Sequence, residues 1–238
     1  MLFRRLTRLF QPRRFHTATP SAFHTLCRTG KISLAALLVL ALGGCTQDTS
    51  WHETDITGAL PDLQFTMMRA KDRKAVTAAD YRGKVTLLYF GYTFCPDVCP
   101  TTMANVARIL EKLGNHAKEV RVLFVTVDPN RDTLKVLNQY ANAFAPQVDG
   151  LRGTPDQLAA LARRYRIAYS VTPSPDPAKY EVTHSSAIYV FDKKGTVRLL
   201  ISSLGTAKPD IKGATADIRR LLDEGGASGP LAWLWRLV

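Results

Sequence analysis

The stretch VTLLYFGYTFCPDVCPTTM, Val85 to Met103, decides the fold of this chain. It opens with Val85–Gly91, a continuous apolar and β-rich run that is typical of a strand buried on both faces of a parallel sheet. Pro100 suits the first position of a following helix, and Gly114 suits its end. Between them, apolar residues recur at the spacing of one helical face, at Met103, Val106, Ala107 and Leu110. The sequence therefore predicts a buried strand that leads directly into a helix.

Cys95 and Cys99 lie at the predicted N-terminus of this helix. Unpaired backbone N–H groups and the helix dipole favour a thiolate there, so a thiol pKa below the reference value of about 8.5 is expected. Thioredoxin-type redox catalysts use Cys-x-x-Cys, whereas three intervening residues make a wider loop. Such a loop can close as a disulfide, and it also lets two sulfurs converge on a soft metal ion. The spacing leaves a disulfide, a redox pair and half of a metal site as alternatives.

The composition argues against nucleic acid as a partner. The chain has 238 residues and a formal net charge of +12, but seven of those positive charges lie in residues 1–44, which contain no Asp or Glu. The remaining basic residues form neither a Lys/Arg block nor a stripe interleaved with aromatic residues. We therefore expect no nucleic-acid partner and one well-buried domain.

Residues 1–44 are expected to be a lipoprotein-type signal peptide. A basic segment ends at Lys31, and the apolar run that follows is too short to span a hydrocarbon core of about 30 Å but suits a secretory signal. The ending Leu42-Gly43-Gly44-Cys45 resembles the lipobox of bacterial lipoproteins, in which the cysteine is acylated. The alternatives are an ordinary small-residue cleavage site and a mitochondrial presequence, which would need a transmembrane helix after it.

A lipobox implies an exported chain that is anchored to the bacterial cell membrane through lipid on Cys45, with its domain facing the periplasm or the cell exterior. Residues 45–57 are polar and mixed, which predicts a tether. Cys27 is removed with such a signal and Cys45 carries the lipid, so Cys95 and Cys99 are the cysteines left in the domain. In an oxidising compartment, a pair of this kind forms a disulfide or is held by a metal.

Residues 58–225 alternate predicted strands and helices, an order expected of a thioredoxin-like α/β domain. We expect a central mixed sheet flanked by helices, with an N-terminal β-hairpin extension. Residues 226–238 form an apolar C-terminal tail that is too short to span a membrane and is expected to pack on the domain or fray. The other predicted elements are a hairpin within Leu60–Val76, a buried strand at Val120–Val127, a helix capped by Asp132, a helix opened by the capping box Thr154–Gln157, a Pro-rich loop at Ser170–Thr183, a hairpin of Ala187–Phe191 and Val197–Ile201, and a helix from about Lys208 to Glu224.

Histidine is the candidate for a third metal ligand, because two thiolates do not complete most metal sites. His52 lies in the expected tether and His116 in a polar turn, so both are expected to be solvated. His184 lies in EVTHSSAIYVF, at the start of a buried strand and behind the Pro-rich loop, where a thioredoxin-like fold brings the chain back towards the cysteine helix. A histidine at a strand edge is more often structural than ligating, but the exported cysteine pair favours a ligand role here.

Four motifs in this order resemble the Sco family, also called SenC, of copper-binding proteins that assist cytochrome c oxidase assembly. The resemblance covers roughly Leu60 to Leu222. It implies that Cys95, Cys99 and His184 bind copper, as Cu(I) and with Cu(II) as a second oxidation state. The motifs are FGYTFCPDVCPTTM at Phe90–Met103, VTVDPNRDT at Val125–Thr133, GTPDQLAALARRYRI at Gly153–Ile167 and HSSAIYVFDKKG at His184–Gly195.

Two residues depart from the family pattern. Thr183 stands where family members often have Asp before the histidine, and Phe94 stands where polar residues are common, which makes the edge of the site more apolar. Other residues near the motifs have structural interpretations: Asp97 is expected in an exposed turn, Met103 in the core, and Asp128 paired with Arg131 to shape a loop.

The resemblance implies a membrane-anchored copper chaperone, not an enzyme, that delivers copper to the CuA centre of cytochrome c oxidase subunit II and receives it from an upstream copper donor. The alternative is a thiol:disulfide oxidoreductase that keeps the cysteines of the target reduced through Cys95 and Cys99. His184 discriminates between the two, because copper transfer needs this ligand and dithiol exchange does not. A peroxidase resembling peroxiredoxins does not fit, since its two cysteines are normally far apart in sequence.

Overall fold

The computed structural model describes residues 50–176 and 180–224. Within these ranges, short 3₁₀ turns cover Ala78–Tyr81 and Gly114–Glu119. The strands are β1 (Thr54–Asp55), β2 (Thr66–Arg69), β3 (Ala75–Thr77), β4 (Val85–Gly91), β5 (Val120–Thr126), β6 (Val148–Arg152), β7 (Tyr169–Thr172), β8 (Glu181–His184), β9 (Ile188–Phe191) and β10 (Val197–Ile201), and the helices are α1 (Val98–Leu113), α2 (Leu134–Asn142), α3 (Pro155–Arg164) and α4 (Ile211–Glu224).

Eight of the strands form one mixed sheet in the order β1-β10-β9-β4-β5-β6-β2-β3. β4, β5 and β6 run parallel, while β9 is antiparallel to β4. All seven residues of β4 are buried, because it lies between β5 and β9 in the middle of the sheet and both of its faces are covered. The predicted mixed sheet flanked by helices is confirmed, and the parallel strand β4 leads directly into α1.

The hairpins and caps with clear sequence signals form as expected. β2 pairs with β3, and β9 pairs with β10. The capping box is present at the start of α3: Gln157 N donates to Thr154 Oγ1 at 3.2 Å, and Thr154 N donates to Gln157 Oε1 at 2.9 Å. Gly114 follows the last residue of α1 with a φ of +58°, a conformation that favours glycine.

β6 has no counterpart among the predicted elements. Asp149 and Gly150 lie at its centre, and both residue types are depleted in strands. The structure accommodates each of them specifically. The Asp149 carboxylate accepts a hydrogen bond from Tyr81 Oη at 3.1 Å, and a Cβ at Gly150 would lie 2.6 Å from Leu137 Cγ of α2. Close packing of the helix therefore requires glycine in this strand.

The Pro-rich loop contains a second sheet that the sequence did not predict. β7 pairs with β8 in an antiparallel hairpin, with Tyr169 opposite His184. Two helix starts also differ from the prediction. α1 begins at Val98, two residues before Pro100, and α4 begins at Ile211 rather than near Lys208.

The segment before residue 58 is part of the domain where the structure describes it, in contrast to the expected tether. Thr54 of β1 pairs with Leu200 of β10. The Asp217 carboxylate of α4 accepts the backbone N–H groups of His52 at 3.0 Å and Glu53 at 2.8 Å. The polar sequence of this segment alone indicated solvent, but its backbone N–H groups bind a buried carboxylate.

Several predicted segments lie outside the described residues. They are the signal peptide at 1–44, the lipidation site Cys45 and the apolar tail at 226–238. In the part that is described, none of the helices combines the length and the apolar character needed to cross a membrane.

Candidate metal centre

Three elements bring the predicted ligands together. Cys95 lies in the turn after β4, Cys99 in the first turn of α1 and His184 at the end of β8. The two Sγ atoms and a ring nitrogen all lie within 4.8 Å of one another. Across residues 50–176 and 180–224, this is the one group of three or more His, Cys, Asp or Glu side chains arranged to hold a metal ion.

The first turn of α1 is oriented towards the sulfur of Cys95, the more exposed of the two cysteines. The backbone N–H of Cys99 points at Cys95 Sγ, 3.4 Å away. Asp97, at the N-cap position, makes no side-chain cap bond; it is exposed, as expected, and accepts from Thr101 Oγ1 at 3.4 Å. The Cys95 sulfur therefore occupies the place of a capping oxygen, where the helix dipole favours negative charge.

The His184 ring presents its Nε2 atom to the sulfurs. Nδ1 lies 2.9 Å from the carbonyl oxygen of Ser185, which can only accept, so Nδ1 carries the proton and Nε2 has a free lone pair. Nε2 is 3.1 Å from Cys99 Sγ. Burial lowers the pKa of His184, so the imidazole is neutral near pH 7, which is the form that binds metal ions. The Tyr92 ring meets the imidazole edge-on, with centroids 5.7 Å apart.

Burial raises the pKa of Cys99 to about 12, which contradicts the expected lowering at this sulfur. The Cys99 side chain is 0% exposed, and the N–H group at the start of α1 is directed at Cys95 instead. In the metal-free protein, Cys99 is therefore a thiol that can donate to His184 Nε2. A metal ion that binds both sulfurs must displace this proton.

Gly91, the last residue of β4, leaves space for the buried sulfur of Cys99. A Cβ at this position would lie 2.8 Å from Phe124 Cε2 and 3.0 Å from Cys99 Sγ. Side chains do not tolerate such distances, so the packing of Cys99 against the sheet depends on glycine.

The loop between β5 and α2 is hydrogen-bonded to the segment that precedes Cys95. The prediction that Asp132 caps α2 was wrong: the N-cap is Thr133, whose Oγ1 accepts from Val136 N at 3.3 Å. Asp132 is fully buried, and its carboxylate accepts from Thr93 N at 3.1 Å, Thr93 Oγ1 at 2.6 Å and Thr126 Oγ1 at 2.6 Å. It ties the end of β5 to the segment that precedes Cys95.

The remaining sequence candidates lie apart from the metal centre or have the expected structural roles. His116 is exposed in a 3₁₀ turn, as predicted. His52 is half-exposed and contacts Asp217 through Nδ1 at 3.0 Å. Met103 is buried in the core, also as predicted, and Phe94 is 56% exposed beside Cys95.

One residue near the centre had no sequence signal. Tyr180, just before β8, hydrogen-bonds the buried Asp128 carboxylate, which is itself 2.5 Å from Arg131 Nε. The Asp128–Arg131 pair was predicted, but its contact with the strand that carries His184 was not. Sequence separation hides this contact, since its partners are 52 positions apart.

Comparison with known proteins gives a consistent family. The SCO1/SenC family model matches residues 56–223. The chain is 39% identical over 161 residues to the mitochondrial SCO2 homolog of Mus musculus, and this match covers 65% of this chain and 63% of that protein. It is 34% identical over 150 residues to protein SenC of Rhodobacter capsulatus, and this match covers 63% of this chain and 65% of that protein. The matched parts are less than two thirds of the length of these relatives.

Solved structures support the same assignment. The copper-bound structure of Bradyrhizobium japonicum ScoI has a TM-score of 0.60 and 34% identity, and the match covers 68% of this chain and 99% of that one. Copper-bound yeast Sco1 also has a TM-score of 0.60, with 29% identity over 73% of this chain and 98% of that one. The predicted thioredoxin-like α/β architecture is confirmed by these likenesses together with the observed sheet.

Proposed function

The chain belongs to the SCO1/SenC family, and on that premise we propose that it is a membrane-anchored copper chaperone that delivers copper to the CuA centre of cytochrome c oxidase subunit II. One observation carries the proposal: Cys95, Cys99 and His184, distant in sequence, converge with their ligand atoms within 4.8 Å. The copper-bound ScoI and Sco1 structures that resemble the chain support the choice of metal.

The donor set favours copper on chemical grounds. Two thiolates and one neutral imidazole are soft to borderline donors that suit Cu(I) in a three-coordinate site, and Cu(II) is the second oxidation state to consider. Zinc in a structural site takes four ligands, and this cluster supplies three. A three-coordinate ion is open to an incoming ligand, so copper is cargo that passes to an acceptor by ligand exchange. An upstream donor protein would load the site in the same way.

Titration of the reduced protein with Cu(I), followed by X-ray absorption, tests this function. We expect one tightly bound Cu(I) per chain with two sulfur neighbours and one nitrogen neighbour. His116→Ala is the matched control, since this exposed histidine lies outside the cluster and its loss should leave the ligand count unchanged. Absence of tight copper binding, or a ligand shell of oxygen and nitrogen alone, would refute the chaperone proposal.

A thiol:disulfide oxidoreductase is the second candidate. Cys95 and Cys99 are both free in the structure and lie in the same cluster. A disulfide needs the sulfurs at about 2.05 Å, so closure requires only a local movement of the turn at Cys95. The same two sulfurs serve both reactions, and copper loading therefore competes with disulfide formation.

The membrane anchor is proposed from the sequence, because Cys45 lies outside the described residues. We expect Cys45→Ser to move the protein from the membrane fraction to the soluble fraction, since the thiol that receives the acyl chain is lost. Cys27→Ser is the control and should leave the protein in the membrane fraction. Immunoblotting of the two fractions checks this prediction, and equal membrane association of all variants would contradict lipid anchoring.

A further inference from the structure

His184 is carried by a hairpin that is separate from the main sheet. β7 and β8 form a two-stranded sheet of their own, so no backbone ladder joins β8 to the eight-stranded sheet. Val182 is buried in the core with 7% exposure, but the ends of β8 are partly exposed. The distance of 3.1 Å between His184 Nε2 and Cys99 Sγ therefore depends on contacts made by side chains around the hairpin.

Asp128, Arg131 and Tyr180 provide one connected set of these contacts, and we call them the Tyr180 clamp. The Tyr180 hydroxyl donates to the Asp128 carboxylate, which is 2% exposed. The Arg131 guanidinium lies 3.8 Å from the centroid of the Tyr180 ring, and its Nη1 donates to the Tyr180 carbonyl oxygen at 3.2 Å. Arg131 Nε is 2.5 Å from Asp128 Oδ2. Each of the three residues is thus held by the other two.

The clamp also reaches the segment that carries the cysteines. The Arg131 guanidinium lies 5.2 Å from the Phe94 ring centroid and 5.8 Å from that of Tyr92. The next residue, Asp132, holds Thr93 by two hydrogen bonds of 3.1 and 2.6 Å. One short loop after β5 therefore contacts both ligand-bearing segments.

We propose that Tyr180, together with Asp128 and Arg131, is a positioning residue for copper binding, an inference that rests on the proposed function. The clamp keeps β8 against the loop after β5, so that the imidazole of His184 stays within coordinating distance of the two sulfurs. The hydrogen bond to Asp128 is charge-assisted and partly buried, which makes it stronger than a bond between neutral groups at the surface. Groups that hold a metal ligand in place typically change metal affinity by about 10- to 100-fold when they are removed.

Two variants of the full chain test the clamp. Tyr180→Phe removes the hydroxyl and keeps the ring, and we expect its Cu(I) affinity, measured by competition with a chromophoric chelator, to fall about tenfold. Arg131→Met removes the ion pair, the stacking cation and the bond to the Tyr180 carbonyl, and its affinity should fall by about 100-fold. X-ray absorption should show a reduced copper–nitrogen contribution in both variants with two copper–sulfur neighbours retained, and added imidazole should restore the nitrogen contribution.

Tyr165→Phe is the matched control. This buried hydroxyl also makes two hydrogen bonds, to the Asp62 carbonyl at 2.9 Å and from Gln64 N at 3.1 Å, but it lies away from the metal centre. Its loss should lower stability without changing copper affinity or the nitrogen contribution. Clamp variants that behave like Tyr165→Phe, while His184→Ala loses copper, would overturn the clamp alone. Unchanged copper binding in His184→Ala would instead refute the proposed function on which the clamp rests.

Discussion

Copper affinity is expected to fall by at least about 100-fold when His184 is replaced by alanine, because the ion loses its one nitrogen donor and keeps only two sulfurs. The structure places Nε2 of His184 at 3.1 Å from Cys99 Sγ, and Nε2 is the unprotonated nitrogen because Nδ1 donates to the Ser185 carbonyl oxygen. Chelator competition measures the affinity. Thiol–disulfide exchange between Cys95 and Cys99 needs only the sulfurs, so the variant should still form this disulfide and exchange it with glutathione.

His116→Ala provides the control for this prediction, since it removes an imidazole that is exposed and outside the cluster. It should retain both the copper affinity and the exchange equilibrium. Retained copper affinity in His184→Ala would eliminate the chaperone proposal and favour the oxidoreductase. Loss of dithiol exchange in that variant, with copper binding intact, would mean that the imidazole acts on the thiols rather than on a metal.

Gly91→Ala is expected to damage both the fold and the metal centre. The added methyl group would lie 2.8 Å from Phe124 Cε2 and 3.0 Å from Cys99 Sγ, so either the ring or the sulfur must move. Overpacking of this kind costs about 1–3 kcal/mol, and the central position of β4 places the loss near the upper end. Urea denaturation measures the loss of stability. Because the Cys99 sulfur is one of the two groups that the added methyl group would crowd, copper affinity should fall as well.

Gly114→Ala separates the two effects. Gly114 also needs glycine, for its φ of +58°, but nothing lies within 4 Å of its missing Cβ. Alanine there should cost about 1 kcal/mol of stability through backbone strain and leave copper binding unchanged. Equal copper affinity in Gly91→Ala and Gly114→Ala would mean that the Cys99 sulfur does not contact position 91.

The parts of the fold with strong local signals were predictable from sequence. The continuous apolar run of β4 and the capping box of α3 each have one physical interpretation, and both are confirmed. β6 was missed because Asp149 and Gly150 have poor strand propensity, and only the Tyr81 hydroxyl and the approach of α2 explain them. Such tertiary partners leave no periodic signal in a single sequence.

At the metal centre too, the ligand residues were predictable from the sequence, whereas burial and tertiary contacts were not. The spacing of Cys95 and Cys99 was visible in the sequence, and comparison of the available histidines singled out His184. The direction of the Cys99 pKa shift was predicted wrongly, because the helix N-terminus was known and the burial of that sulfur was not. Tyr180 was missed because four elements, α2, β6, α3 and β7, separate it in sequence from the aspartate that it contacts.

The unequal exposure of the two sulfurs has a consequence for the route by which cargo leaves. Cys99 is fully buried, whereas Cys95 is partly open to solvent beside the exposed Phe94. Cys95 and His184 are both partly exposed and only Cys99 is buried, so an acceptor thiol would approach from the side of Cys95 and His184, and we expect Cys99 to release the ion last. On the proposed function, the acceptor would thus begin to coordinate the ion while Cys99 still holds it, and the transfer would need no release of the metal into water.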